Sequence, residues 1–213
     1  MTFLQNRIVI AVMAMLALLS GAGAYADDAA LQKLGARLEP LAALQANFVQ
    51  TVTDDKNKVL QTSEGTLTVK RVNRLRWQTT APFAYLIVTD GKTLWRYDAD
   101  LEQATRQPFN GEMADAPALI LSGDMARIRA NYDVAWEQGS AGEWYTLKPK
   151  AKKPLFRAMK LLFSGATLRQ LDLVDNLAQR TEIRLDNLKM NPPLADSLFN
   201  FTPPDGVDVI DGN

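Results

Sequence analysis

The sequence predicts an α+β fold in a single domain: about eleven antiparallel strands in one large curved sheet, accompanied by three short helices. Three observations carry this. A leucine stripe at helical spacing follows an apolar leader. Stretches of period two, divided by turn residues, fill most of the rest. Between them lies no linker, no low-complexity tract and no fixed-period repeat.

Residues 1–26 read as a cleaved secretory signal. Arg7 closes a positive start, Ile8 to Leu19 is an apolar run, and Ala24-Tyr25-Ala26 is a small-x-small cleavage site before Asp27. The run falls short of the roughly 20 apolar residues that span a bilayer. Residues 27–213 then form the single domain. Leu31, Leu34, Leu38 and Leu41 make one face of its first helix, with Lys33, Arg37 and Glu39 off the stripe. Asp27 or Asp28 is placed to cap it, and Pro40 to end it, because the residue before a proline is pushed out of the helical region.

The period then changes to two. Leu44, Ala46, Phe48 and Val52 lead into a turn at Asp54-Asp55-Lys56-Asn57. Strands follow at Val59 to Arg71, Arg74 to Thr79, Ala84 to Thr89, Thr93 to Tyr97 and Gln103 to Gln107. The Asp90-Gly91 pair marks a hairpin. Two short helices interrupt this pattern: Met113 to Leu121, ended by Gly123, and Met125 to Ala130, capped by Asp124. Strands resume at Tyr132 to Glu137, Glu143 to Lys148, Leu155 to Phe163, Thr167 to Asp175 and Arg180 to Leu188. A few short helices over so large a sheet leave room for an apolar cavity.

The missing residue types narrow the chemistry. The chain has no cysteine and no histidine. That excludes disulfides, thiolate nucleophiles, imidazole bases and the usual zinc and copper ligand sets. Its 24 basic and 24 acidic side chains balance, whereas a nucleic-acid binder needs a dominant basic face. The acidic pairs Asp98/Asp100 and Asp172/Asp175 fall at expected turns, where aspartate serves local hydrogen bonding, and have no calcium-loop spacing. Neither a metal site nor an enzyme is indicated.

Several stretches in this order resemble the periplasmic outer-membrane lipoprotein carrier family, LolA. They are Phe48-Val49-Gln50, then Gly65 to Arg71 leading into Leu75-Arg76-Trp77, then Thr89-Asp90-Gly91-Lys92 with Leu94-Trp95-Arg96-Tyr97. Leu101-Glu102-Gln103, Pro117 to Asp124, Gln179-Arg180-Thr181 and Phe199 to Val209 complete the likeness. The resemblance implies a half-open antiparallel β-barrel under a lid of three helices, enclosing a cavity for lipoprotein acyl chains. It implies a periplasmic chaperone without cofactors that suffices as a monomer. An inner-membrane ABC transporter of the LolCDE type would load it, and an outer-membrane receptor of the LolB type would take the cargo. That receptor shares the fold but is anchored through a lipid-modified cysteine, which this chain lacks. A carrier of another lipid on the same fold, such as a glycolipid or pigment-pathway paralogue, is the alternative.

The resemblance also assigns residues. Arg71 stands where the family has an arginine that hydrogen-bonds lid carbonyls and holds the cavity shut. Read from spacing alone it is a solvated loop charge. Val72 replaces the usual following proline, and Leu75 a frequent phenylalanine. Leu34, Leu38, Leu119, Ile120 and Leu121 would form the lid's apolar face, with Phe48, Leu75, Trp77 and Trp95 on the barrel wall. Without the resemblance the lid leucines are ordinary helix-to-sheet packing, and Trp136 and Trp144 are plain core. Two basic clusters, Lys70 to Arg76 and Lys148 to Lys160, suit either docking to acidic surfaces or simple solvation.

Overall fold

The structure, a computed structural model, describes residues 22–109 and 124–212, with the backbone alone for residues 22–27. The expected helix Met113 to Leu121, and with it Leu119, Ile120 and Leu121, lies outside the described residues, as do residues 1–21.

Helix α1 (Ala22–Leu38) comes first. Six strands follow: β1 (Ala43–Thr53), β2 (Val59–Lys70), β3 (Arg74–Ala81), β4 (Tyr85–Thr89), β5 (Thr93–Asp98) and β6 (Gln103–Pro108). Helix α2 (Met125–Asn131) leads into β7 (Tyr132–Gly139), β8 (Gly142–Pro149), β9 (Phe156–Ser164), β10 (Thr167–Asp175) and β11 (Arg180–Met190). A 3-10 turn (Asp196–Phe199) and a short strand β12 (Asp208–Asp211) close the chain.

All twelve strands belong to one sheet, ordered β12-β6-β5-β4-β3-β2-β1-β11-β10-β9-β8-β7. Every neighbouring pair is antiparallel except β12 with β6. The edge strands β7 and β12 do not pair with each other, so the barrel stays open. Eleven of these strands are those the sequence predicts. The twelfth, Asp208–Asp211, has all four residues exposed, and its parallel pairing needs no hairpin turn to announce it.

The α1 stripe is buried as expected: Leu31, Leu34, Leu38 and Leu41 all lie in the main core with Phe48, Tyr145, Leu161 and Leu171. Its start differs. In the uncleaved chain the helix extends upstream of Asp27 and Asp28 through an alanine-rich stretch that favours helix, so neither aspartate stands at its start. Asp28 instead pairs with Arg129 of α2 at 2.7 Å. Arg37 bonds Glu143 of β8 at 2.6 Å, and Lys33 lies 3.1 Å from the centroid of the Trp136 ring, so polar contacts frame the apolar stripe. The Asp124 side chain accepts the Arg127 amide at 3.0 Å and caps α2, whose Ile128 is fully buried.

A second layer covers the opposite face of β3–β6. Arg76 pairs with Val88, and Val88 with Trp95, across the register, placing these residues opposite to Trp77 and Ile87. The segment after β11 packs there. Phe199 is buried, and Phe201 sits 5.6 Å from Trp95 and 5.4 Å from Tyr97. Lys70 and Arg74 both reach Asp196, at 2.6 and 2.8 Å, and Arg76 donates to Leu198 O. The first basic cluster therefore ties down the C-terminal segment. Trp144 also departs from expectation: it shares its sheet face with Leu162 and Glu137, away from the main core, and is half-buried.

Candidate functional site

The antiparallel ladder sorts the connections by end. Turns 54–58, 82–84, 99–102 and 176–179 lie at one end of the sheet, and turns 71–73 and 90–92 at the other. A cavity of about 700 Å³ sits on the inner face, within the ordinary size range of ligand pockets. Its floor is apolar, built where Leu67, Trp77 and Ile87 stand side by side on β2, β3 and β4, with Leu75 beneath and Leu173 and Ile183 on the far wall. Its mouth opens at the first end, where Phe83 and Leu101 are 65% and 71% exposed.

Local sequence explains the floor. Gly65 of β2 has no Cβ, and one built there would lie 1.9 Å from Gln78 O and 2.9 Å from the Phe48 ring. That opening lets Phe48 reach Trp77, with ring centroids 4.1 Å apart. Gly91, at φ +93°, turns the β4–β5 hairpin, while Asp90 accepts the amides of Lys92 and Thr93 at 2.8 Å each. Burial raises the Asp90 carboxyl's pKa, but these two bonds, its own backbone amide and the nearby Lys92 charge together outweigh it and hold the group below its ordinary value.

The residues assigned from the sequence separate into groups. Leu75 and Trp77 line the cavity. Phe48 does not; it is buried behind Trp77 and supports it. Leu34 and Leu38 are fully buried in the main core and do not line it either, because α1 lies down on the sheet and fills that region with its own leucines. Trp95 is on the outer face with Phe201. Alternation with polar neighbours is the same for Trp77 and Trp95, and only the register between strands decides which face each takes.

Arg71, in the β2–β3 turn, reaches the C-terminal end of α1. Its Nη2 donates to Leu38 O at 2.7 Å and its Nη1 to Glu39 O at 3.3 Å, while its own amide donates to Ala42 O at 2.9 Å. The helix ends before Pro40, where the Leu38 carbonyl also accepts the Leu41 amide at 2.9 Å, and a guanidinium suits these terminal carbonyls in geometry and in charge. Its Nε is buried without an acceptor among the described residues. Asn191 adds a clamp that the sequence reading treats only as loop punctuation. It donates to Pro40 O at 2.8 Å and accepts the amides of Ala42 and Ala43 at 2.8 and 3.0 Å. The link between α1 and β1 is thus held from both sides.

The acidic pairs serve structure. Asp98 accepts the Asp100 and Leu101 amides, and Asp175 those of Leu177 and Gln179. Asp172 is not in a turn but buried in β10, bonded to Arg180 at 2.8 Å.

Comparison with known proteins agrees with this geometry. The model of the family described as "Outer membrane lipoprotein carrier protein LolA" matches residues 39–202. The outer-membrane lipoprotein carrier protein of Azotobacter vinelandii is 37% identical over 187 residues, covering 88% of this chain and 90% of that protein. That of Pseudomonas aeruginosa is 38% identical over 188 residues, with the same coverage. Among solved structures, an uncharacterised conserved protein from Thermus thermophilus shares the fold at TM-score 0.56 and 14% identity, covering 85% of this chain and 98% of that one.

Proposed function

The chain belongs to the outer-membrane lipoprotein carrier family, LolA, and from that premise we propose that it is a periplasmic lipoprotein chaperone without chemical turnover. Residues 1–26 direct export and are removed, and residues 27–213 are the carrier domain. The acyl chains of a lipoprotein released from the inner membrane by a transporter of the LolCDE type enter the cavity. A receptor of the LolB type at the outer membrane takes them on. The observation that carries this reading is the apolar floor of Leu67, Trp77 and Ile87 in an open-mouthed cavity.

Energetics define the task. Each acyl methylene withdrawn from water contributes about 0.8 kcal/mol, so one chain of roughly 15 methylenes reaches about 12 kcal/mol. Such cargo does not cross an aqueous compartment alone. A bilayer offers the same apolar surroundings, so moving between bilayer and cavity is near neutral, and direction comes from coupling at each end. Helix α1 supplies the reversible element. Closed, it buries Leu34 and Leu38 against the sheet; open, acyl chains take their place and the cavity widens. Arg71 bonds the carbonyls of Leu38 and Glu39 with α1 down, and lifting α1 would break those bonds. Each such bond from a charged donor is worth about 1.5–3 kcal/mol, enough for a gate and too little to block loading.

The test is mass spectrometry of what the chain carries when purified from the periplasm of cells expressing a tagged lipoprotein. Acylated lipoprotein at near-equal stoichiometry is expected, and none when the acylated cysteine of that lipoprotein is replaced. A copurifying glycolipid or pigment precursor would favour the alternative carrier. An empty protein would contradict both.

A further inference from the structure

The cavity changes character along its length. Its deepest row is apolar, formed by Leu67, Trp77 and Ile87. Toward the mouth polar residues enter the inward positions, among the apolar Val52, Ile183 and Leu173. Thr79 stands opposite Gly65, Ser63 opposite Gln50, and Gln61 and Thr181 both flank Val52. All five polar residues line the cavity. None of their side chains is hydrogen-bonded to another described residue; Ser63 is buried, Gln50, Thr79 and Thr181 are half-buried, and Gln61 is exposed at the rim. Inward-facing polar groups weaken an apolar wall, and a hydroxyl or amide set at such a depth is satisfied only by water or by a ligand.

The charges point the same way. No lysine or arginine lines the cavity among the described residues; its charged members are Asp98 and Asp100, at the mouth. The Asp98 carboxylate accepts two amides of its own turn, and Asp100 is exposed at the tip of that turn. Serine and threonine hydroxyls and glutamine amides donate to neutral carbonyl oxygens. A phosphate at the mouth would meet the two lining carboxylates first; the inward cation on the same face of β5, Arg96 opposite Ile87, is not among the lining residues.

Resting on the carrier reading above, we propose that this band of Gln50, Gln61, Ser63, Thr79 and Thr181 receives the ester and amide carbonyls at the glyceryl end of an acylated cargo. Asp98 and Asp100 reject anionic phospholipids at the same mouth. The tails lie on the Trp77 floor, and the carbonyls stop at the polar rows. A carrier that takes its load from a membrane meets phospholipids in excess, with the same tails. Tail burial cannot tell them from lipoprotein; the group next to the tails can.

The experiment uses the purified chain and three short-chain probes with equal tails: dioctanoylglycerol, its dioctyl ether analogue, and dioctanoylphosphatidylglycerol. Affinities are read by displacement of the neutral fluorophore N-phenyl-1-naphthylamine. Dioctanoylglycerol is expected to bind about tenfold tighter than either of the others. The paired substitution Gln50→Leu with Thr79→Val should bring the ester-to-ether ratio close to one with little loss of ether binding. Asp100→Lys, at an exposed turn, should close the gap to the phosphatidyl probe and leave the ester-to-ether ratio alone. Equal binding of all three probes by the native chain would overturn the proposal while leaving the carrier reading intact, as would ratios that the variants do not move. Failure of every probe to displace the fluorophore would overturn the carrier reading and this proposal with it.

Discussion

Trp77 packs on Phe48 with the planes 32° apart, and this one aromatic contact separates the filled part of the sheet from the hollow part. Phe48 belongs to the core under α1, and Trp77 faces the cavity. Phe48→Ala should therefore cost about 3–5 kcal/mol of stability, the usual range for a buried phenylalanine. It should also let the Trp77 ring drop into the gap and weaken binding of apolar fluorophores. Urea titration with an unchanged slope, beside a fluorophore titration, checks both effects. A stability loss below about 1 kcal/mol would mean that the site is less rigid than its packing implies.

The Asn191 clamp predicts a local effect. Asn191→Ala removes three side-chain hydrogen bonds and leaves the Ala42 and Ala43 amides without them. The expected cost is about 1–3 kcal/mol, concentrated at the α1–β1 link. Hydrogen exchange of the α1 amides should accelerate while β8–β10 stays protected. Uniform acceleration through the sheet would contradict a hinge at this position.

Asp196 makes the C-terminal segment sensitive to acid. A hydrogen bond from Lys70 and the charges of Arg74 and Lys70 lower its pKa, against a smaller opposing effect of desolvation. Because the folded value is lower than the unfolded one, the contacts stabilise the protein above the ordinary aspartate value of about 3.9. That contribution disappears as pH falls through the lowered value. Asp196→Asn should lower the melting temperature at pH 7 and match the native chain once both are below that value. A difference that persists undiminished at pH 2 would show that the effect is not electrostatic.

Arg71→Leu removes the donors to Leu38 O and Glu39 O and keeps an apolar stem, so the sheet should still fold. Lipoprotein loading should proceed, and hand-off to the receptor should slow by at least tenfold, because closing α1 no longer recovers those bonds. Lysine should rescue only in part, since one ammonium does not reproduce the planar fork. A two-step transfer assay scores the stages separately, and normal hand-off by Arg71→Leu would contradict the latch.

Much of this architecture was legible in the sequence because its signals are local. Period-two stretches with their turns locate eleven strands, the leucine stripe locates α1, and Asp124 locates the start of α2. Trp95, Phe201 and Asn191 were not legible in the same way. Which face Trp95 takes depends on the pairing of β5 with β4, and Phe201 finds it from beyond Pro192-Pro193. The Asn191 bonds cross from β11 to the α1–β1 link. Leu38 is a further case. A closed-lid residue and a core residue look alike in sequence, and with α1 down on the sheet Leu38 is buried like any core leucine. A charge at Leu38 should therefore destabilise the closed form as well as lower capture.

Acyl chains bound as proposed lie on the inner face of the sheet, and site-specific photo-crosslinking reads that placement. A photoreactive phenylalanine analogue would replace Ile87 on the cavity floor in one variant and Trp95 on the opposite face in another. Both would be irradiated with lipoprotein released from the inner membrane. A crosslink to the acyl portion is expected from position 87 and none from position 95. Equal crosslinking from both positions, or from position 95 alone, would contradict it.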